Sequence, residues 1–194
     1  MTREEILKEF EASGALLQGH FILSSGLHSP SYLQCAKLLM YPDRAEKLCL
    51  ALIQKISEDI IKNIDVVIAP AMGGIIVGYE LARQLNKPFL FLEREKTRFC
   101  FRRGFELTSN QKVFLVEDVI TTGLSFRECL LISESYGAEI LGGACLIDRS
   151  LGKTDFDIPF YPLIRMSIPT YSSDILPPGL AKIPPVKPGS RGLF

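Results

Sequence analysis

The sequence predicts an α/β protein with a mainly parallel central sheet flanked by helices, and three observations carry the prediction. Short runs rich in Val, Ile and Leu alternate with amphipathic segments from residue 65 onward, the rhythm of βαβ units and of parallel pairing. Those runs are apolar throughout instead of alternating, as strands covered on both faces are. Two of them lead straight into glycine-bearing turns that open helices, Ala69-Pro-Ala-Met-Gly-Gly-Ile75 and Val119-Ile-Thr-Thr-Gly-Leu-Ser125. In open α/β sheets the carboxyl ends of the strands are where ligands bind. With 194 residues the chain suits a single domain with its own hydrophobic core: an N-terminal helix and hairpin (1–40), an α/β core (41–170) and an extended C-terminal tail (171–194).

Each element has a local reason. Thr2-Arg-Glu-Glu5 reads as a capping box opening an amphipathic helix with Ile6, Leu7 and Phe10 on one side, which ends before Gly14 and suits a lid or a dimer element. Gly19 to Cys35 holds two strand-like runs around a Ser/Gly/Pro turn, a small hairpin outside the main sheet. Pro42 fits a first helical turn, and Ala45 to Ile60 carries apolar residues at helical spacing, which predicts one long covering helix. Strands are expected at Asp65–Ala69, Pro88–Leu92, Val113–Val116 and Glu139–Ile147, and helices at Gly74–Leu85 and Gly123–Tyr136. Glu93 to Glu106 is charged, lacks helical periodicity and has short aromatic alternation, which predicts a hairpin arm with a mobile tip. The proline-rich tail predicts an extended surface segment.

Composition removes several classes of function. Twenty-two basic and 22 acidic residues give a net charge of zero and a pI near 6.7, so no global basic field recruits nucleic acid. The apolar uncharged stretch Val66 to Tyr79 is interrupted by Pro70 and Gly73-Gly74 and is too short to span a bilayer. Five cysteines without a C-x-x-C pair, and two histidines, His20 and His28, without metal-ligand spacing, read as reduced thiols and ordinary side chains. The first residues, Met-Thr-Arg-Glu-Glu, lack the apolar core of a signal peptide, so a cytoplasmic location is expected.

The chemistry concentrates in Val113-Phe-Leu-Val-Glu-Asp-Val-Ile-Thr-Thr-Gly-Leu-Ser125. The turn offers backbone N–H groups and the hydroxyls of Thr121, Thr122 and Ser125 at the positive end of a helix dipole, a cradle for a phosphate. It is not a Walker A loop, since no G-x-x-x-x-G-K-[ST] is present. Glu117 and Asp118, two acceptors placed just before the cradle, suit vicinal hydroxyls, so the pair describes a ribose 5-phosphate. The plain alternative is a capping threonine and two solvated acids at a strand end. In the second loop Gly73 and Gly74 let backbone N–H groups approach another anion. The arm adds Arg94, Lys96, Arg98, Arg102 and Arg103, cations suited to closing over a polyphosphate, or else a solvated charged hairpin.

Val113 to Ser125 resembles the signature of the type I phosphoribosyltransferases: an apolar strand, two acids, two further residues, then Thr-Thr-Gly and a small or hydroxyl residue. The resemblance implies that Glu117 and Asp118 hold the 2- and 3-hydroxyls of 5-phosphoribosyl 1-diphosphate (PRPP). Val119, Ile120, Thr121, Thr122, Gly123, Leu124 and Ser125 would complete its loop, with Met72, Gly73 and Arg94 also placed against PRPP. Family members act on purines, orotate or uracil, and some serve as RNA-binding regulators. Gly19-His-Phe-Ile-Leu-Ser-Ser-Gly-Leu-His-Ser-Pro-Ser-Tyr-Leu-Gln34 resembles the hood of the bacterial orotate phosphoribosyltransferase group. Arg102-Arg-Gly-Phe-Glu106 and Lys187-Pro-Gly-Ser-Arg191 are similar to segments of the same group. Nearly the whole chain is covered.

That resemblance implies transfer of phosphoribose from PRPP to orotate in pyrimidine (UMP) biosynthesis, with Mg²⁺ as cofactor, bound mainly through PRPP. Thr121 and Arg149, and the hood positions Tyr32 and Leu33, correspond to orotate contacts, and Lys96, Arg98, Arg102 and Arg103 to the catalytic arm. A guanidinium suits the orotate carboxylate, although Arg149 is also placed to form a surface ion pair near Asp148. A homodimer in which the arm reaches the neighbouring site is implied as well. Where other branches carry lysine, this sequence has Ser24 and Gly73. A purine phosphoribosyltransferase or a regulator built on the same fold are the alternatives; the hood and Arg149 oppose the first, and the neutral charge opposes the second.

Overall fold

The computed structural model describes residues 1–23, 25–150 and 152–188. Helix α1 (Arg3–Ala12) starts with the expected capping box: Thr2 accepts from the Glu5 N–H, and the Glu5 side chain accepts from the Thr2 N–H. Its buried residues, Ile6 and Phe10, join the main core, so the helix is anchored to the body of the protein. Strands β1 (Leu16–Ile22) and β2 (His28–Leu33) pair antiparallel as a separate two-stranded hood.

Three short helices follow. Helix α2 (Cys35–Leu39) was not expected, while α3 (Pro42–Ile53) begins with its proline in the first turn. The single helix expected over 45–60 is two, because α3 ends at Gln54 and α4 (Glu58–Asn63) begins after Ser57, whose backbone is extended. Ser57-Glu58-Asp59 is itself a helix-start signal, with acids in the first turn, and the break lets Ile56 turn inward to burial.

The main sheet is built from β3 (Val66–Pro70), β4 (Phe89–Glu95), β5 (Arg98–Phe101), β6 (Lys112–Ile120), β7 (Glu139–Asp148) and β8 (Phe160–Arg165), in the order β5-β4-β3-β6-β7-β8. All neighbours are parallel except the β4–β5 hairpin. Strand β8 had no expectation attached. The arm is therefore an extension of β4 that returns as the edge strand β5, with Glu95 paired to Arg98 and Lys96 in the left-handed region at the turn.

Helices α5 (Gly73–Leu85) and α6 (Leu124–Ser135) cross on opposite faces of the sheet. From β3 the chain winds one way to β4; from β6 it winds the other way to β7. The seam between β3 and β6 is thus the point where strand order reverses, where a crevice opens at the strand ends. Strand periodicity divides the core accordingly. Val67, Ala69, Phe114 and Val116 join one buried cluster with α1 to α3 and α5; Val66, Ile68, Val113 and Leu115 join the other with Phe126 and Cys129 of α6.

The tail returns to the hood. Val186 bridges to Phe21 and Tyr171 to His28, a short helix α7 (Pro178–Ala181) lies between them, and His20 bonds both the Ile183 carbonyl (2.7 Å) and His28 (2.5 Å). The tail is therefore tied down and carries a helical turn instead of running wholly extended. Residues 189–191, from the ending that resembles its relatives, lie outside the described residues, as does Ser24.

Candidate active site

Two turns face each other across the β3–β6 seam. Helix α6 starts at Gly123, which adopts φ 73°, and no side chain caps it. The N-cap is glycine and not a threonine, although Thr122 Oγ1 accepts a long bond from the Leu124 N–H at 3.4 Å, which leaves the next N–H groups uncapped. The first N–H groups of a helix have no partner within it, so here those after Leu124 remain donors pointed at the crevice. Gly123 is required twice over: its backbone is left-handed, and a Cβ would lie 2.8 Å from the Phe156 ring. Helix α5 opposite begins at Met72, again without a side-chain cap. Met72 is 81% exposed at the mouth of the crevice.

The acids sit inside β6, not past its end: the strand continues to Ile120, and Glu117 pairs with Cys145. They are partly buried. Burial, followed by the neighbouring Asp118 charge, pushes the Glu117 carboxyl up to about 8, and burial also raises Asp118 against the opposing pull of its backbone N–H donors. Asp118 Oδ1 accepts from the Val119 N–H at 2.9 Å. It also faces the second loop, since a Cβ on Gly73 would stand 2.7 Å from that oxygen. The two loops therefore meet at Asp118. Any side chain at position 73 would bring its Cβ against the carboxylate as it stands here.

Arg149 follows directly on β7, and its N–H donates to the Ile120 carbonyl at 2.8 Å, next to the cradle. Its guanidinium is partly buried and Nε has no hydrogen-bond partner among the described residues; burial lowers its pKa. The plainer role for Arg149, an ion pair with Asp148, is not seen among the described residues; Asp148 bonds Ser150 and Arg165 instead. The buried thiol of Cys35 senses both Asp118 and Arg149: burial and Asp118 push it up, while Arg149 pulls it down. Cys35 itself opens α2 and joins the main core cluster.

The hood residues divide. Tyr32 is half-buried, and its hydroxyl donates to Gln34 Oε1 at 2.8 Å. Leu33 is buried in the main core cluster, so its side chain packs inward and is not brought to the crevice. The arm cations divide too. Arg94 is held by Glu128 at 2.5 Å and stacks on Phe99 at 4.1 Å, while Arg103 is paired with Glu93 at 2.7 Å. Lys96, Arg98 and Arg102 are exposed and make no ion pair among the described residues. Thr121 and Thr122 are exposed at the cradle, Leu124 lies outward, Ser125 is half-buried, and Val119 and Ile120 turn toward the core clusters.

Among the described residues no helix is long and apolar enough to cross a membrane, and no three His, Cys, Asp or Glu side chains converge to hold a metal ion.

Comparison with known proteins agrees with this geometry. Residues 40–168 match the phosphoribosyl transferase domain family. The chain is 51% identical over 191 residues to an orotate phosphoribosyltransferase of Erythrobacter litoralis, covering 98% of this chain and 99% of the relative. Among solved structures, it is similar to an orotate phosphoribosyltransferase from Aeropyrum pernix, with a TM-score of 0.71, 24% identity, and 83% of this chain and 93% of that chain covered. An adenine phosphoribosyltransferase from Saccharomyces cerevisiae follows, with a TM-score of 0.65, 19% identity, and 83% and 99% covered. Fold alone is thus shared between enzymes named for different bases, and it is the full-length sequence identity that separates them. On that identity, the chain belongs to the orotate phosphoribosyltransferases of the phosphoribosyl transferase domain family.

Proposed function

We propose that the protein transfers the 5-phosphoribosyl group of PRPP to N1 of orotate, forming orotidine 5-phosphate and releasing diphosphate. The observation that carries the choice of acceptor is the Arg149 guanidinium: partly buried, lacking a carboxylate, with Nε unpartnered, beside a phosphate cradle. A buried cation without a counter-ion is costly, and an anionic pyrimidine carboxylate matches its fork.

The remaining roles follow from the same chemistry. The uncapped N-terminus of α6, with Thr121, Thr122 and Ser125, takes the 5-phosphate. Glu117 and Asp118 accept from the ribose hydroxyls, and the uncapped start of α5 at Met72 and Gly73 donates to the diphosphate. Bond breaking at the anomeric carbon builds positive charge on the ribose and negative charge on diphosphate, so fixed donors and orientation do most of the work. Lys96, Arg98 and Arg102 act on the leaving group when the arm closes and water is excluded. Arg94 and Arg103 brace the arm through Glu128 and Glu93. Mg²⁺ would be held mainly through PRPP, with Asp118, beside the diphosphate loop, the carboxylate placed to assist, and would neutralise charge on the diphosphate.

A homodimer completes the proposal. Met72, Ile76 and Tyr79 lie at helical spacing along α5 and are 81%, 45% and 61% exposed, an apolar stripe beginning at the diphosphate loop. A second copy seated there brings an arm across the subunit boundary.

The experiment is a base panel. With PRPP and Mg²⁺, orotate should be consumed, followed at the pyrimidine absorbance, and hypoxanthine and adenine should not. Turnover of a purine but not of orotate would sink the proposal.

A further inference from the structure

The turn that carries Arg149 is held by a buried carboxylate. Asp148, the last residue of β7, is 1% exposed, and both its oxygens are used. Oδ1 accepts from the Ser150 N–H at 2.8 Å and from the Ser150 hydroxyl at 2.6 Å, and Oδ2 accepts from Arg165 Nε at 3.2 Å. Arg165 is the cross-strand neighbour of Asp148 on β8. The clamp continues outward. Ser150 Oγ lies 2.9 Å from Thr154 Oγ1, and the Thr154 methyl would touch a Cβ on Gly123, the residue that opens the phosphate cradle.

We infer that Asp148, with Ser150 as its clamp, is a positioning residue for the acceptor site: it turns its own charge away from Arg149 and fixes the turn, so that Arg149 meets the acceptor's carboxylate as an uncompensated cation. The inference rests on the acceptor role proposed for Arg149. A free Asp148 carboxylate at this turn could swing toward the neighbouring guanidinium, and a paired Arg149 would have to break that bond before gripping an anion. By satisfying Asp148 from its other side, the fold leaves the guanidinium unpartnered. The same bonds tie the Arg149 turn to the segment backing the cradle. Arg149 is thereby set at a fixed place beside the cradle, which matters because small displacements at a reacting centre cost rate steeply.

Ser150→Ala and Asp148→Asn test this in the full-length protein, with Arg149→Ala as reference. Ser150→Ala should raise the orotate KM about tenfold, the effect of one lost hydrogen bond to a charged group, and leave the PRPP KM within about twofold. Asp148→Asn should do more. Ser150→Ala should add nothing further in the Arg149→Ala background, since it acts only through that guanidinium. Should Asp148→Asn fail to fold, Ser150→Ala carries the test alone. A folded Ser150→Ala with unchanged orotate KM, where Arg149→Ala raises it, overturns the inference and spares the proposed function. Additive effects in the double variant overturn it as well. An unchanged orotate KM in Arg149→Ala removes the acceptor role itself, and the inference with it.

Discussion

Gly73→Ala adds one methyl group, and its ideal position lies 2.7 Å from Asp118 Oδ1. To reach the 3.4 Å of ordinary contact the carboxylate must retreat by about 0.7 Å, and its bond from the Val119 N–H must stretch or break. The backbone itself tolerates alanine, because Gly73 is the first residue of α5 and has no positive φ. Alanine in a helix is favoured over glycine by roughly 0.5–1 kcal/mol, which offsets the roughly 0.5–1.5 kcal/mol of the weakened hydrogen bond, so Tm should stay close to that of the parent. The displaced carboxylate, however, is assigned to the ribose hydroxyls, where a shift approaching 1 Å costs up to about 100-fold. The expected outcome is a kcat/KM for PRPP lower by about 10- to 100-fold with an undiminished Tm. PRPP saturation curves at fixed orotate, with thermal unfolding of the same samples, measure both. Unchanged PRPP kinetics with an undiminished Tm would refute the placing of the ribose against Asp118.

Other perturbations probe the remaining contacts. Asp118→Asn keeps shape and should raise the PRPP KM or lower turnover by more than tenfold, read from initial rates, because a charge-assisted acceptor becomes partly a donor. Folding raises Glu117 from 4.5 to about 8, so the folded state holds the proton more tightly and stability falls as pH rises through that window; the Tm advantage of Glu117→Gln over the parent should grow between pH 5 and pH 9. Gly78→Ala places a methyl 2.3 Å from the Phe89 ring, inside the α5–β4 packing, and should lower Tm by several degrees, in contrast to Gly73→Ala. Mixing an Arg98→Ala chain with an Asp118→Asn chain should restore part of the lost turnover if the arm works across a dimer, and none if it works within one chain.

What the sequence makes legible follows from range. The βαβ rhythm, the capping box at Thr2 and the uncapped turn at Gly123 depend on residues within a few positions of one another, and these correspond to the observed strands and helices. The break at Ser57 was missed because the apolar spacing of Ala45 to Ile60 continues through it, although Ser57-Glu58-Asp59 carries a start signal. Strand β8 holds Pro162 and is preceded by an irregular stretch, so no local pattern announces it; pairing with β7 makes it a strand. The residues assigned to the ribose side lie within one contiguous motif, Glu117 to Ser125, which the sequence displays whole. Which cations are already taken it does not display. Glu128 neutralises Arg94 from 34 residues away, Glu93 neutralises Arg103 across the arm, and Arg165 holds Asp148 from 17 residues away. Leu33 was assigned to the site by motif position, but the face a strand residue presents is settled by packing, and here it joins the core.

A crystal structure with PRPP bound addresses the central claim most directly. The 5-phosphate should lie within hydrogen-bond distance of the N–H groups at the start of α6, and the ribose hydroxyls should lie about 2.6–3.2 Å from the carboxylates of Glu117 and Asp118. A 5-phosphate seated at the start of α5 instead, or ribose hydroxyls facing away from both acids, would contradict it.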